Sequence, residues 1–300
     1  MLDLKHIKHD DINFNKWDET ILGSLIPTVF AQSYFLNATS PGWDALVIND
    51  YETVFPLTWK RKLGILYLPQ PYFTGQLGAF GNVTDEAEIL FYTYIIQKYR
   101  LVEIELNTSN HLNSKYLEPK NTFVIEYKKG YSFNQNTRRN IAKALSAGMN
   151  VKEVAPMEIT GLSKKILNPF LSGDLKLPDK EIGRFGDLLL NCISAGSIRT
   201  FKTVDKNNAI KAIGHFVFNE KYVVFLKGTN VDKADNSGSM HLLISHAIEF
   251  FEKTCTCFDF GGGSLNEGLA GFYKGLGGAQ RDYHFLRVNN LPRILKVLKK

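Results

Sequence analysis

Hydrophobic and polar positions change period several times along this chain. Trp17, Ile21 and Leu25 recur every four residues, which predicts helix within 13–39. From Trp43 the pattern shortens to strand-like runs at 43–48, 53–60 and 64–68. These are parted by Asn49-Asp50 and by a basic turn at Lys60-Arg61-Lys62. In 68–80, LPQPYFTGQLGAF, Pro and Gly lie so close together that an irregular loop is expected. Its Tyr72 and Phe73 either line a pocket or pin the loop by packing. Thr84 caps a helix through Lys98, with Asp85, Glu86 and Glu88 at the end that favours acids. Strands at 101–106 and 122–127 complete a first α/β unit.

The second half opens on the clearest helix, 131–148, YSFNQNTRRNIAKALSAG. Ser132 or Asn134 can cap it, and Gly148 suits the left-handed position past its end. Thr137, Ile141, Ala144 and Leu145 form the inward stripe. Arg138, Arg139 and Lys143 lie off it, with no acid between 131 and 152. They either contact a phosphate or carboxylate or are solvated helix charges. A strand at 150–154, helices near 159–170 and 180–195, and strands at 198–204, 209–218 and 222–227 follow. A polar loop, 228–238, leads into a helix over 239–252 that buries Met240, Leu243, Ala247 and Phe250 or Phe251. After a strand at 258–260, an S-x-x-E capping box, Ser264 with Glu267, starts a last helix that Gly277-Gly278 stops. A strand at 283–288 and a basic tail with Arg293, Lys296, Lys299 and Lys300 end the chain.

Composition narrows the class. The chain is 44% hydrophobic and 22% charged, as in globular proteins with sizeable cores. No apolar run is long enough to span a bilayer, and the mixed-charge N-terminus lacks a signal-peptide core, so a cytoplasmic protein is expected. Cys192, Cys255 and Cys257 read as free thiols, since strand neighbours two apart cannot bridge easily. Charge is uneven. Residues 1–130 hold 12 Lys and Arg against 15 Asp and Glu, while residues 131–300 hold 24 against 15. The basic half suits a phosphate-bearing ligand, a nucleotide cofactor or an RNA, and equally a solvated surface.

The order strand, two helices, three antiparallel strands, helix, strand, helix, strand is unusual, since most α/β folds alternate strand and helix. With three local matches it resembles the GNAT acyltransferase superfamily, and more closely its FemAB/FemX-like (BioF2-like) branch. The matches are Asn136-Thr-Arg-Arg-Asn-Ile-Ala-Lys-Ala with Gly148-Met-Asn-Val, the turn Ser237-Gly238-Ser239-Met240 opening a helix, and Phe258-Asp259-Phe260-Gly261-Gly262 followed by Phe272-Tyr273-Lys274-Gly275-Leu276-Gly277. The resemblance implies two tandem GNAT-like α/β domains, 1–129 and 130–300. Each would hold a mixed, mostly antiparallel sheet flanked by helices, with a cleft beside or between the domains.

It also implies N-acyl transfer to an amine, from acyl-CoA (acetyl-CoA) or from an aminoacyl-tRNA, by direct attack. The acceptor would be a small molecule or a peptidoglycan (cell-wall) precursor. In that family the Ser237–Met240 turn holds the cofactor pyrophosphate. Here it has one glycine and no arginine, unlike the fuller Arg/Gln-x-x-Gly-x-Gly/Ala pattern. Asn266 would contact the pantetheine arm, and Tyr273, seven residues on along one helix face, would protonate the leaving thiolate. Tyr273 could equally be packed between helix and sheet with its hydroxyl satisfied. Lys274 would hold a phosphate or oxyanion, or is a surface lysine. Asp259 would be the base or orient the amine, or is a turn residue. Arg138, Arg139, Tyr72 and Phe73 complete the substrate-side candidates. No long heptad insert marks a tRNA-docking arm. No metal is expected, because His241 and His246 are five apart and do not share a helical face. The rival reading is a non-catalytic binding protein that kept the fold and lost the cofactor loop.

Overall fold

A computed structural model describes residues 2–111, 114–232, 234–262 and 266–292. Ser264 of the expected capping box and the basic residues of the tail lie outside the described residues. Contacts divide the chain into two compact units. One holds the described residues up to Asn121 with those from Asp282 on; the other runs Thr122–Arg281.

The first unit begins with β1 (Leu4–Ile7), α1 (Phe14–Gly23) and α2 (Ser33–Thr39). Then come β2 (Asp44–Ile48), β3 (Thr53–Leu57), β4 (Lys60–Lys62), β5 (Ile65–Pro69) and β6 (Phe80–Gly81). α3 (Asp85–Lys98), β7 (Leu101–Glu105) and β8 (Leu117–Glu126) follow. The periodic residues Trp17 and Ile21 are fully buried, and Trp17 lies 4.6 Å from Trp43 between ring centroids. Burying side chains of this size contributes about 1.5–3 kcal/mol each. Leu25, the third member of that pattern, is exposed because α1 ends at Gly23. β1, β2, β3 and β6 form one sheet, in that order. The basic triplet 60–62 is a strand and not a turn: β4 pairs antiparallel with β5, and the reversal falls on Leu63-Gly64, both at positive φ. β5 lies parallel to β7.

The second unit adds α4 (Gln135–Ser146), β9 (Asn150–Glu153), α5 (Pro156–Gly173) and α6 (Asp179–Ser194). It goes on through β10 (Ile198–Val204), β11 (Ile210–Phe218), β12 (Tyr222–Asn230) and α7 (Ser239–Phe251). It closes with β13 (Cys257–Asp259), α8 (Glu267–Gly275) and the start of β14 (Ala279–Asn289). Its strands run in the order β8, β13, β12, β11, β10, β9. All pairs from β9 to β12 are antiparallel; β12 and β13 are parallel. The architecture is a mixed, mostly antiparallel α/β fold with helices flanking the sheets.

Asn134, not Ser132, caps α4, accepting from the Thr137 N–H at 2.8 Å. Leu145 is exposed, because the stripe that faces α7 is only Thr137, Ile141 and Ala144 wide. β12 runs three residues beyond its expected end, to Asn230. β8 starts five residues before the expected 122, β1 lies where no strand is expected, and β14 exceeds the expected 283–288, its 285–289 stretch pairing antiparallel with β7 in the first unit.

Candidate functional site

Side-chain alternation sorts the second unit's sheet into two chemically different faces. One is apolar. Phe123, Phe216, Val223, Phe225, Phe258 and Phe260 meet α7 and α8 there, with Tyr273 among them. The other carries polar groups: Thr200 on β10, His215 on β11, Tyr222 and Lys227 on β12, and Asp259 on β13. Register confirms the grouping, since Thr200 pairs with His215, His215 with Lys227, and Val224 with Asp259.

β12 and β13 pair only from Tyr222↔Cys257 to Val224↔Asp259, and β12 then continues for six residues beside β11. The parallel ladder thus ends at Asp259, while Gly261 still touches Phe225 of β12. A bulge interrupts β12's pairing with β11 between His215 and Phe216 in the same region. Gly261 follows at φ 75°, and a Cβ there would lie 2.7 Å from the Phe225 carbonyl oxygen, so only glycine admits this close approach.

Asp259 is buried and fully engaged. It accepts from Tyr222 Oη at 2.7 Å, the Gly261 N–H at 2.8 Å and Thr122 Oγ1 at 3.3 Å. Burial pushes its pKa up, against the pull of these hydrogen bonds. The same burial, with Asp259 beside it, holds the Tyr222 phenol well above its usual range.

Tyr273 lies on the other face. Its ring stacks on Phe260 at 4.7 Å and packs near Phe123 at 6.2 Å. Its hydroxyl has no hydrogen-bond partner among the described residues, and burial, with the charge of Asp259 acting in the same direction, holds its pKa above the ordinary phenol range. Lys274 next to it is exposed, with Nζ 5.6 Å from the Phe123 centroid. An ammonium group and a proton-bearing phenol therefore flank one aromatic ring. Asn266, at the head of α8, caps that helix by accepting from the Leu269 N–H at 3.0 Å. The structure brings Tyr273 and Lys274 together; Asp259 leaves its strand on the opposite side.

The turn at the head of α7 is occupied by the chain itself. Asp235 Oδ2 accepts from Ser237 Oγ and Ser239 Oγ, both at 2.7 Å, and Oδ1 accepts from the Ser237 N–H at 2.9 Å. Burial pushes Asp235 up, but these hydrogen bonds outweigh it and hold the carboxyl below its usual value. Gly238 sits at φ 86°, and a Cβ on it would fall 2.1 Å from the Asn140 carbonyl oxygen of α4. Lys143 of α4 donates to the Asn236 carbonyl at 2.8 Å. Met240 packs on the apolar core. Asp235 thus sets a carboxylate beside this end of α7, while no side chain among the described residues caps the first N–H groups of the helix.

Arg138 lines a groove of about 490 Å³ between α4 and α7, with His246 and Glu249. Arg139 bonds Asn136 of its own helix at 2.9 Å. In the first unit Tyr72 is exposed and Phe73 adopts φ 62°. Their loop is held by the Gln70 amide, which donates to the carbonyls of Thr74 and Gly75. Among the described residues no group of three or more His, Cys, Asp or Glu is placed to hold a metal ion, and no helix is long and apolar enough to cross a membrane. Tyr222, Lys227, His215 and Asp235 were not singled out from sequence. Strict alternation from Tyr222 would put Lys227 on the apolar face; the bulge at Leu226 turns it to the His215 side, and only the structure shows that bulge.

No family model matches the sequence, and no curated protein does. Solved structures do. FemX superposes with a TM-score of 0.68 at 12% identity, covering 99% of this chain and 100% of that one. L-PGS from Bacillus licheniformis gives 0.57 at 12%, over 85% and 87%. A tandem GNAT protein from the clavulanic acid biosynthesis pathway gives 0.51 at 11%, over 97% and 99%. The fold is therefore a tandem GNAT-like α/β fold. Within that class it takes the FemX-related form.

Proposed function

We propose that this chain is an enzyme that moves an acyl or aminoacyl group from an ester donor to an amine, by direct attack of the amine on the carbonyl. The observation that carries this reading is the pair Tyr273 and Lys274 beside Phe123: a phenol whose O–H has no partner among the described residues, and an ammonium group near the same ring. Lys274 would stabilise the oxyanion that forms as the amine attacks; as the C–O bond breaks, Tyr273 would give its proton to the leaving oxygen and regain one from the attacking nitrogen. Likeness to FemX and to a tandem GNAT protein supports the class of reaction.

Of the two donors that the sequence suggests, an aminoacyl ester such as aminoacyl-tRNA fits better than acyl-CoA. The α7 turn already holds Asp235 and packs on α4, which disfavours a pyrophosphate. The acceptor is an amine, in this reading a small molecule or a cell-wall precursor. Asp259, bonded to Tyr222 and Gly261, would hold the strand end in shape and not take the amine's proton itself.

Melting the protein with aminoacylated tRNA, uncharged tRNA and acetyl-CoA tests this. Aminoacylated tRNA at a hundredfold excess over its Kd should stabilise by about 2.7 kcal/mol, with acetyl-CoA giving no shift. Tyr273→Phe should keep that shift and slow aminoacyl release to an added amine by about a hundredfold. A shift with acetyl-CoA alone would reverse the donor assignment. No shift with any of the three would favour the non-catalytic binding protein.

A further inference from the structure

Lys227 stands on the stretch of β12 beyond its ladder with β13, directly opposite His215. It is half-buried, and its ammonium group has no hydrogen-bond or ion-pair partner among the described residues. A lysine so placed carries the cost of desolvation without a compensating anion. Burial accordingly lowers its pKa. The groups around it do not supply the missing charge. His215 is fully buried and burial pushes its pKa down to about 3, so the imidazole is neutral. Its Nδ1 meets Thr200 Oγ1 at 2.7 Å, and its Nε2 is buried without a partner. The acid on the same face, Asp259, is engaged by Tyr222, Gly261 and Thr122. α5 and α6 cover this side: Phe185 of α6 lies 6.0 Å from the His215 ring, and Ser163 on the buried stripe of α5 also has an unpaired hydroxyl.

We propose that Lys227 is the anchor of a carboxylate subsite on the α5–α6 face of the second unit's sheet, with His215 beside it, and that its ligand is an amino acid or a peptide terminus. One ammonium and one uncharged imidazole offer a single positive charge, which matches a carboxylate better than a phosphate ester. The subsite does not rest on the acyl-transfer reading.

The probe is difluoroacetate, followed by its fluorine line width with the intact chain, no donor present. The wild-type protein should broaden the signal, glycine should compete, and inorganic phosphate should compete much less. Lys227→Met should lose roughly tenfold or more in affinity, the scale of one charged hydrogen bond. It should melt no lower than the wild type, because an apolar side chain replaces an uncompensated charge. Lys221→Met, at an exposed lysine just ahead of β12, should bind as the wild type does. If Lys227→Met does not fold, Lys227→Gln takes its place. Equal binding by the Lys227 variant, absence of broadening with the wild type, or displacement by phosphate as readily as by glycine would each overturn the subsite. Donor binding is measured without this carboxylate, so either reading can fail alone.

Discussion

His215 shows how one buried side chain ties stability to pH. Burial holds its pKa near 3 in the folded protein, against about 6.5 when unfolded. The folded state therefore binds fewer protons than the unfolded state between those values. The stability that this group's neutrality protects is present above about pH 6.5 and is lost as pH falls toward 3, by about 1.4 kcal/mol per unit. Urea unfolding at pH 7, 5.5 and 4.5 should show that slope. In His215→Gln, which stays neutral and can still bond Thr200, the slope should be shallower. An unchanged slope would mean that other groups govern acid sensitivity. The same residue-level logic separates the two candidate acid–base groups: Asp259 has its oxygens claimed by three donors, whereas the Tyr273 hydroxyl has no partner among the described residues.

At the scale of elements, the decisive contact is between α4 and the head of α7. The sequence marks Gly238 as a place where a ligand could approach the backbone. In the structure the backbone that approaches is the chain's own, at Asn140. Gly238→Ala would add a Cβ at 2.1 Å from that carbonyl oxygen and force an L residue to φ 86°. It should destabilise the protein by roughly 2 kcal/mol or more, read from the urea midpoint. Were the turn a ligand site with free space above it, the loss would be limited to the φ strain. The end of the β12–β13 ladder is likewise an element-level feature. A bulge and a three-residue strand set it, and neither leaves a strong periodic signal.

For the whole molecule, the chain's second passage through the first unit matters most. After Arg281 it returns there, and 285–289 pair with 101–105. Leu286 and Val288 are fully buried. A chain ending at Arg281 would leave the β7 edge unpaired and remove those side chains from the core. Amide exchange at Val102 and Ile104 should then speed up by orders of magnitude, while exchange in β10 and β11 changes far less. Equal acceleration in both units would show that they unfold together.

Much of the organisation is legible in the amino-acid order alone. The cap at Thr84, the meander 198–227 and the glycine stop at 277–278 are local signals, carried by hydrogen bonds and backbone freedom within a few residues, so they survive without tertiary information. The order of those elements was enough to suggest the fold. What tertiary structure alone decided is which side chains meet. Asp259 and Tyr273, 14 positions apart, were read as one constellation, and strand alternation sends them to different faces. Asp235 reached the α7 turn, and Lys227 came to lie opposite His215, through loop closure and strand register. Those are set by packing across the whole unit, since a shift of one residue in register would exchange the two faces.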